Sequence, residues 1–305
     1  MSPREIQGML LGLLSVILFS ITLPMTRITI MEIHPLLNGL GRSFIAAIPA
    51  AILLAWRREK WPTKQQMKGL AVVALGAIIV FPVCTAWAMR TLPASHGAIV
   101  NGLQPLCVAI YAVWFAREKP SRTFWLCSII GSTLIITYAM RASGGTLMAG
   151  DIFMLIAVVF GALGYTEGGR LAKQMGGWRV ICWALVISAP VLVIPVTLLA
   201  WHHTGPISLK SWLAFGYAAL ISQFFGLFIW YAGLALGGIA RVSQVQQLQV
   251  FFTLAFSTCF FGEEVGSDTW LFAAAVVFML ALSSRTRIAA LPPSSITPAQ
   301  KIAHN

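Results

Sequence analysis

Charged residues are scarce in this chain. They make up 10% of its 305 residues, and only 9 of them are Asp or Glu, whereas a soluble domain carries about 25% charged residues. Hydrophobic residues make up 58% of the chain, and the mean hydropathy is +0.82. Intrinsic disorder requires low hydrophobicity. The composition therefore excludes soluble globular and disordered proteins and indicates a membrane protein.

The five cysteines form neither a CxxC pair nor a group with histidines at metal-ligand spacing. Each lies inside an apolar stretch, so we interpret them as small buried hydrophobic side chains and predict no metal site. Signatures of ATP-driven pumps and zinc proteases are also missing, because the chain has no GxxxxGK(S/T) and no HExxH. We therefore predict that the protein is not an enzyme and uses no cofactor.

Apolar residues fall into ten segments, each near the length of about 20 residues that a membrane helix needs. The predicted fold class is an all-α membrane protein with ten transmembrane helices. The spans are predicted at residues 7–27, 35–56, 68–89, 95–116, 123–141, 150–169, 179–201, 212–234, 239–261 and 269–288. Residues 289–305, which include three prolines, are predicted to form a disordered cytoplasmic tail.

The net charge of +12 cannot form a broad basic face, because so few residues are charged. If the N-terminus lies in the cytoplasm, 15 of the 21 Lys and Arg residues fall on the cytoplasmic side and 4 on the outer side. Cytoplasmic loops of membrane proteins carry such an excess. We therefore predict an N-in, C-in topology in a lipid bilayer and no nucleic-acid partner. Arg42 and Arg241 fall within or at the edge of spans.

The chain repeats itself at an offset of about 145 residues, or about 143 near the start of each half. The halves are predicted at 8–141 and 150–288, with five spans each. Because five is odd, the second half starts from the opposite side of the membrane, and such inverted repeats place substrates at the midplane in many transporters. The matched pairs are Thr22 with Tyr165, Arg27 with Arg170, His96 with Arg241, Asn101 with Gln246, Gln104 with Gln249, Glu118 with Glu263 and Trp125 with Trp270.

Each half ends its fourth predicted span at a glutamate and begins its fifth at once. The first half runs from Leu92-Pro93-Ala94-Ser95 into Gln104-Pro105 and Glu118, and the second from Gly237-Gly238-Ile239-Ala240-Arg241 into Gln249 and Gly262-Glu263. Over residues 8–288, this doubled pattern resembles the EamA-type transporters of the drug/metabolite transporter superfamily.

The resemblance implies ten helices around a central cavity, export of small metabolites by alternating access, and a place in the bacterial inner membrane. The family often has an acidic residue before a proline in each fourth span. This chain instead has Gln104 before Pro105 and Gln249 before Val250. The resemblance therefore does not carry a carboxylate-based coupling role to these two positions.

Polar residues inside membrane spans are costly and tend to face the protein interior. Span 4 carries Asn101, Gln104 and Tyr111, and span 9 carries Ser243, Gln246 and Gln249, all at spacings that share a helix face. We expect the two helices to present amides to each other as a polar wall of a substrate cavity. The alternative interpretation is structural, with interhelical hydrogen bonds worth about 0.6 kcal/mol each.

Three basic residues are further candidates. Arg241 and His96 stand at the starts of spans 9 and 4, where each can meet a substrate carboxylate as a gate. Alternatively, Arg241 extends to the membrane interface and His96 hydrogen-bonds a loop. Arg42 lies well inside span 2 and needs a partner, which is either Glu32, a helix C-terminus or an anionic substrate.

Glu167 is the only acidic residue well within an apolar region. Either an ion pair with Arg170 at i+3 or a proton-coupling role explains it. Tyr165, which the repeat pairs with Thr22, is also placed among the substrate-binding candidates. Trp87 lies deep in span 3 and is either a cavity residue or part of the core.

These residues together predict a secondary transporter, an exporter of a small amino-acid-like or other polar metabolite, acting as a monomer or a homodimer. Pro24, Pro82 and Pro105 are the hinge candidates, since rocking of the two halves requires deformable helices. Few embedded acids and two embedded arginines favour a substrate that bears a carboxylate. A channel-like facilitator and a membrane-embedded lipid enzyme are the alternatives.

Overall fold

The computed structural model describes residues 2–115, 118–142, 148–262, 266–284 and 288–290. Within these ranges the chain is helical, apart from one pair of three-residue strands. The first part of the chain forms α1 (Pro3–Ser20), α2 (Thr22–Ile30), α3 (Pro35–Trp56), α4 (Lys64–Val73), α5 (Phe81–Ala88), α6 (Ala94–Asn101), α7 (Gln104–Phe115) and α8 (Arg122–Ala142). The second forms α9 (Ala149–Met175), α10 (Gly177–Trp201), α11 (Leu209–Gly216), α12 (Leu227–Gly237), α13 (Ile239–Val245), α14 (Leu248–Phe261) and α15 (Ser267–Ser284).

Seven helical stretches of the described chain are long and apolar enough to cross a membrane. They are Pro3–Ile30, Pro35–Trp56, Lys64–Ala88, Ala94–Phe115, Ala149–Met175, Gly177–Trp201 and Leu209–Gly237. The prediction of a helical, multi-pass membrane protein is therefore confirmed. The other three predicted spans coincide with α8, with α13 and α14, and with α15, and their crossing of the membrane stays a prediction.

Two π-helical segments join α4 to α5 and α11 to α12. They are Ala74–Val80 and Tyr217–Gly226, whose first residues lie 143 positions apart. This is the offset that the repeat has near the start of each half. π-helical turns occur frequently at functional sites, and both segments contribute to the cavity described below.

Three spans that the sequence predicts as continuous helices are broken. Spans 1 and 4 break after Ser20 and after Asn101, because Pro24 and Pro105 cannot donate to the carbonyls four residues earlier. Span 9 breaks between α13 and α14, at the position that the repeat matches to the break in span 4. The uninterrupted helix face predicted for Asn101 and Gln104 is therefore wrong.

Side chains from neighbouring helices satisfy the carbonyls that two of these prolines leave free. Pro24 has no N–H to donate to the Ser20 carbonyl, and the hydroxyl of Thr253 donates to that carbonyl instead, at 2.9 Å. Pro82 likewise leaves the Ile78 carbonyl free, and the Ser43 hydroxyl donates to it at 2.7 Å. Such side-chain donors are what allows prolines within membrane helices. The bending of these prolines as hinges stays a prediction.

The two predicted halves interlock, since α1 packs along α12 and α3 packs along α10. Gly8 on α1 lies directly against α12: a Cβ built on it would stand 2.4 Å from the Gly237 nitrogen and 2.9 Å from the Gly233 carbonyl oxygen. Both neighbours are backbone atoms, which cannot rotate away. The approach of α1 to α12 therefore depends on the missing side chain.

Replacing Gly8 by alanine is expected to lower the free energy of unfolding by about 1–3 kcal/mol, the range for overpacked cores. Gly216→Ala is the matched control, because nothing lies within 4 Å of a Cβ at this helical position. Thermal unfolding of both purified variants in detergent measures the difference. Equal melting temperatures for the two would contradict the close packing of α1 on α12.

One short sheet corrects the prediction for the end of the chain. β1 (Glu118–Pro120) pairs antiparallel with β2 (Ile288–Ala290), with Lys119 opposite Ala289. The predicted disordered tail therefore does not begin at Ala289. Two extended segments that meet beside the helix bundle can satisfy each other's backbone groups, a long-range pairing that local composition does not reveal. Residues 291–305 lie outside the described residues.

Candidate functional site

A central cavity lies where the broken and π-helical segments meet. Its volume is about 20 Å³, which is room for about one water molecule. Its lining residues are Phe19, Thr22, Arg42, Ala77, Phe81, Tyr165, Ser222, Gln223, Leu227, Gln246 and Gln249. They come from both predicted halves, so the cavity lies between the halves.

Arg42 brings a positive charge into this cavity. Its side chain is 1% exposed, and its guanidinium reaches the hydroxyls of Thr26 at 3.4 Å and Thr85 at 3.5 Å. Its Nε atom has no hydrogen-bond partner. None of the ion pairs among the described residues includes Arg42. Taking a charge out of water without a counter-charge costs several kcal/mol.

Of the partners considered for Arg42, Glu32 is not the one observed. Glu32 lies in the turn after α2, where its carboxylate accepts a hydrogen bond from the Ser208 backbone N–H at 2.7 Å. That bond, together with the hydroxyls of Ser208 and Ser211, holds the pKa of the exposed Glu32 below its usual range. Arg42 lies two turns deeper, inside α3, and sequence proximity alone cannot bring the two side chains together.

The amides of spans 4 and 9 meet through Gln104 and Gln246, which are not counterparts in the repeat. Gln246 donates from Nε2 to Oε1 of Gln104 at 2.8 Å, and Gln249 donates to the Phe19 carbonyl at 3.3 Å. These are interhelical hydrogen bonds of the kind that the structural alternative expects. They leave the Oε1 atoms of Gln246 and Gln249, which both line the cavity, buried without a donor.

Aromatic rings form the rest of the cavity wall. Tyr165 stacks on Phe19 with ring centroids 6.5 Å apart and lies at the same distance from Phe81. Trp230 supports this layer from behind, at 5.5 Å from Tyr165. The cavity thus combines one cation, two unpaired amide oxygens and an aromatic surface, which is the mixed lining typical of small-molecule sites.

Comparison with known proteins identifies the family. The model of the EamA-like transporter family matches residues 6–138 and again residues 148–285. This chain belongs to the EamA-like transporter family. It is therefore a membrane transporter, and the family points away from an enzyme.

One relative of this EamA-family transporter is the "Uncharacterized transporter YdeK" of Bacillus subtilis (strain 168). The two are 37% identical over 286 residues, which cover 92% of this chain and 98% of that protein. A solved crystal structure aligns with 91% of this chain and 98% of its own, at a TM-score of 0.71 and 14% identity. That structure shows that the fold is shared.

Several residues predicted for the EamA transporter's substrate site do not line its cavity. Tyr111 packs against Trp114 and Phe115, and the Ser243 hydroxyl donates to the carbonyl of Ala240 in its own helix at 2.9 Å. Ser243 lies on α13 and is separated from Gln249 by the break between α13 and α14, whereas Tyr111 and Gln104 lie on α7 and are both absent from the cavity lining. Asn101, on the far side of its break, is buried outside the cavity lining.

Trp87 also lies away from the cavity. Its ring contacts His34 at 5.6 Å and stacks on Phe153 at 5.9 Å. Glu167 forms the predicted ion pair with Arg170, through bonds of 2.8 and 2.6 Å. Neither residue contributes to the cavity lining.

The two gate candidates of the EamA transporter are both paired with acids. Arg241 forms an ion pair with Glu5, and His96 contacts Asp151 at 2.7 Å. Neither is a free cation that awaits a substrate. The interface and loop roles considered for these residues are replaced by specific contacts between helices that lie far apart in the sequence.

Glu118 forms a contact that the repeat did not reveal. Both oxygens of its buried carboxylate accept backbone N–H groups at the start of α13, from Ile239 at 3.0 Å and Ala240 at 2.8 Å. The glutamate at the end of span 4 therefore caps α13, the helix that ends just before Gln246. Its repeat counterpart, Glu263, lies outside the described residues.

Sequence reasoning missed a polar group contributed by spans 1 and 8. Thr22 donates to the hydroxyl of Ser222 at 2.8 Å, and Gln223 donates to the Ala77 carbonyl at 3.1 Å. Thr22, Ser222 and Gln223 are polar residues inside apolar spans, and this signal is visible in the sequence. The π-helical turn that brings Gln223 to Ala77 is not visible there.

Proposed function

We propose that this EamA-family transporter is a secondary exporter of a small, amino-acid-like metabolite whose carboxylate binds Arg42. The supporting observation is that Arg42 is buried in the central cavity without a carboxylate partner in the part of the chain that the structure describes. An unpaired buried charge lowers stability. A ligand that supplies the counter-charge accounts for its presence.

The remaining lining suits the other groups of such a substrate. The Oε1 atoms of Gln246 and Gln249 lack donors, and an ammonium group is a donor without acceptor capacity. The aromatic layer around Tyr165 suits an apolar side chain. A zwitterion with a modest apolar side chain therefore uses every part of the cavity.

We propose alternating access with ten spans in two inverted halves, N-terminus and C-terminus in the cytoplasm. A cavity of about 20 Å³ holds about one water molecule, so a metabolite enters only after the halves move apart. Contacts between the halves, the ion pair of Glu5 with Arg241 and the 2.7 Å contact of His96 with Asp151, support a closed intermediate. A channel-like facilitator would instead need a continuous pathway.

Two measurements test this function. The first compares metabolites in the medium of an overproducing strain and a null strain, and we expect a carboxylate-bearing compound to accumulate only with the transporter. The second measures counterflow of that compound through the purified protein in liposomes. Saturable counterflow supports alternating access, whereas non-saturable flux without counterflow would show a facilitator. A neutral or cationic compound would contradict the assignment of Arg42.

Replacing Gln249 by leucine is expected to raise the half-saturating substrate concentration by about tenfold, because one hydrogen bond to a charged group is worth about 1.5–3 kcal/mol. Counterflow at graded substrate concentrations measures the change. Thr258→Val on the same helix is the matched control, since its exposed hydroxyl bonds only the Leu254 carbonyl. If the two variants behaved alike, Gln249 would not contact the substrate.

A further inference from the structure

Glu5 uses one carboxylate oxygen within its own helix and the other for its contact with Arg241. Glu5 is the third residue of α1, and its Oε2 accepts the backbone N–H of Ser2, the residue that caps this helix, at 2.7 Å. Its other oxygen pairs with Arg241, the third residue of α13. One acidic residue thus ties the start of a helix in the first half to the start of a helix in the second.

The contact between His96 and Asp151 has the same construction with the halves exchanged. Asp151 is the third residue of α9, and its Oδ2 accepts the backbone N–H of the capping residue Met148 at 2.9 Å. Its Oδ1 lies 2.7 Å from Nε2 of His96, the third residue of α6. Here the acid lies in the second half and the basic group in the first.

The two pairs lie at opposite ends of the bundle. Glu5 lies at one end of the stretch Pro3–Ile30, whose 28 residues span about 40 Å at 1.5 Å per residue. Arg27 lies near the other end and donates to the carbonyls of Leu92 and Met89, just before α6 and His96. Phe19 and Thr22, in the interior of this stretch, line the central cavity. The two pairs therefore lie on opposite sides of the central cavity.

The pairs differ in how they respond to pH. Arginine stays charged at every physiological pH, so the charge on Arg241 does not vary. An ordinary histidine changes charge near neutrality. The side chains of His96 and Asp151 are also more deeply buried, at 8% and 3% exposed, against 16% and 31% for Arg241 and Glu5.

Few other titratable groups face the histidine pair among the described residues. Tyr138 on α8 has its ring 6.2 Å from that of His96, and its hydroxyl is 3.0 Å from the Thr269 hydroxyl. Asp268, at the start of α15, acts electrostatically on Tyr138. Arg27 on α2 is occupied by backbone carbonyls. Of these groups, His96 is the one in direct contact with Asp151.

The geometry points to two symmetry-related gates, of which only the outer one, His96 with Asp151, binds a proton to close. With the proton on Nε2, an imidazolium faces a carboxylate and the ends of α6 and α9 are held together. When the proton leaves to the outer solution, the ionic attraction is lost and this end can open. The proton enters and leaves on the same side of the membrane, so it sets the rate of opening and not the driving force.

This inference rests on the proposed alternating access, but hydrogen–deuterium exchange of the purified full chain tests it without any substrate. The measured quantity is the protection of the first turns of α6 and α9, corrected for the intrinsic exchange rate, at about pH 5.5 and about pH 8, the two sides of an ordinary histidine pKa. We expect several-fold stronger protection at the lower pH. The first turn of α13, at the inner gate, is the internal control and should not respond.

Two variants of His96 give the expected lower and upper limits of this protection. His96→Gln should leave both helix starts weakly protected at either pH, and His96→Arg should protect them at either pH, as Arg241 does at the inner end. His202→Gln removes an exposed histidine and should behave as the unmodified protein. Protection of the unmodified protein that does not depend on pH, or a pH response that survives in His96→Gln, would overturn the proton gate.

Efflux of the metabolite found in the screen separates this inference from the proposed function. With an intact gate, efflux should be slower at low external pH, and the dependence should disappear in His96→Gln and His96→Arg. If no metabolite is transported while the exchange pattern still responds to pH, the proposed function fails and the gate stands. If transport occurs and neither flux nor protection responds to external pH, the gate fails alone.

Discussion

Arg42→Met is expected to reduce substrate affinity at least 30-fold while raising the melting temperature of the protein. The affinity loss corresponds to about 2 kcal/mol, the low end of the cost of truncating one partner of a buried charge pair. The gain in stability has a separate cause: without substrate, Arg42 is a buried charge with only two long hydrogen bonds. Methionine fills similar space without that desolvation cost.

Counterflow and thermal unfolding of the same preparation measure both effects. The substrate affinity and melting temperature of Arg42→Lys should fall between those of the unmodified protein and of Arg42→Met, because lysine keeps the charge but not the forked donor geometry that suits a carboxylate. Arg57→Met, at an exposed position beyond the end of α3, is the matched control and should change neither quantity. A stability loss in Arg42→Met would mean that the arginine holds the fold together, and the substrate role would then lack its support.

Glu118→Ala is expected to lower the free energy of unfolding by about 3 kcal/mol, as two hydrogen bonds to a charged group are lost. The carboxylate accepts the N–H groups of Ile239 and Ala240 in a buried position, so alanine leaves both donors unpaired. Because α13 carries the chain into Gln246, substrate affinity should fall as well. Thermal unfolding and counterflow measure the two consequences.

Glu59→Ala is the control for the loss of a carboxylate. Glu59 pairs with Arg179 at 2.9 Å, where both side chains are partly exposed, and such pairs contribute about 0–1 kcal/mol. Glu118→Gln keeps one acceptor and should recover part of the lost stability. If Glu118→Ala and Glu59→Ala had the same melting temperature, Glu118 would not be stabilising the start of α13.

The helical class, the membrane location and the family follow from features that are local in the sequence. Runs of about 20 apolar residues predict helices wherever they occur, and the paired motifs around Gln104 and Gln249 indicate the family without any long-range contact. Arg42, Tyr165, Gln246 and Gln249 could be placed in the protein interior because a polar residue inside an apolar span tends to face it, but the same argument did not separate them from Asn101 and Ser243, which lie outside the cavity lining.

The rest depends on backbone geometry that apolar patterning does not encode. The breaks after Asn101 and Val245 place Asn101 and Ser243 on different helices from Gln104 and Gln249, although their spacing suggests one face. The π-helical segments shift the helix phase, and this brings Gln223 to the Ala77 carbonyl. Pairing of acids with distant basic groups, such as Asp151 with His96, likewise follows only from the packed arrangement.

The most direct test of the central claim measures binding of the identified substrate, and of its carboxamide analogue, to the purified protein and to Arg42→Met. If Arg42 binds the carboxylate, the analogue should bind the unmodified protein at least about 30-fold more weakly, the equivalent of about 2 kcal/mol. In Arg42→Met the two compounds should bind alike, because the group that distinguishes them is gone. An equal preference for the carboxylate in both proteins would contradict the claim, since that preference would then arise elsewhere.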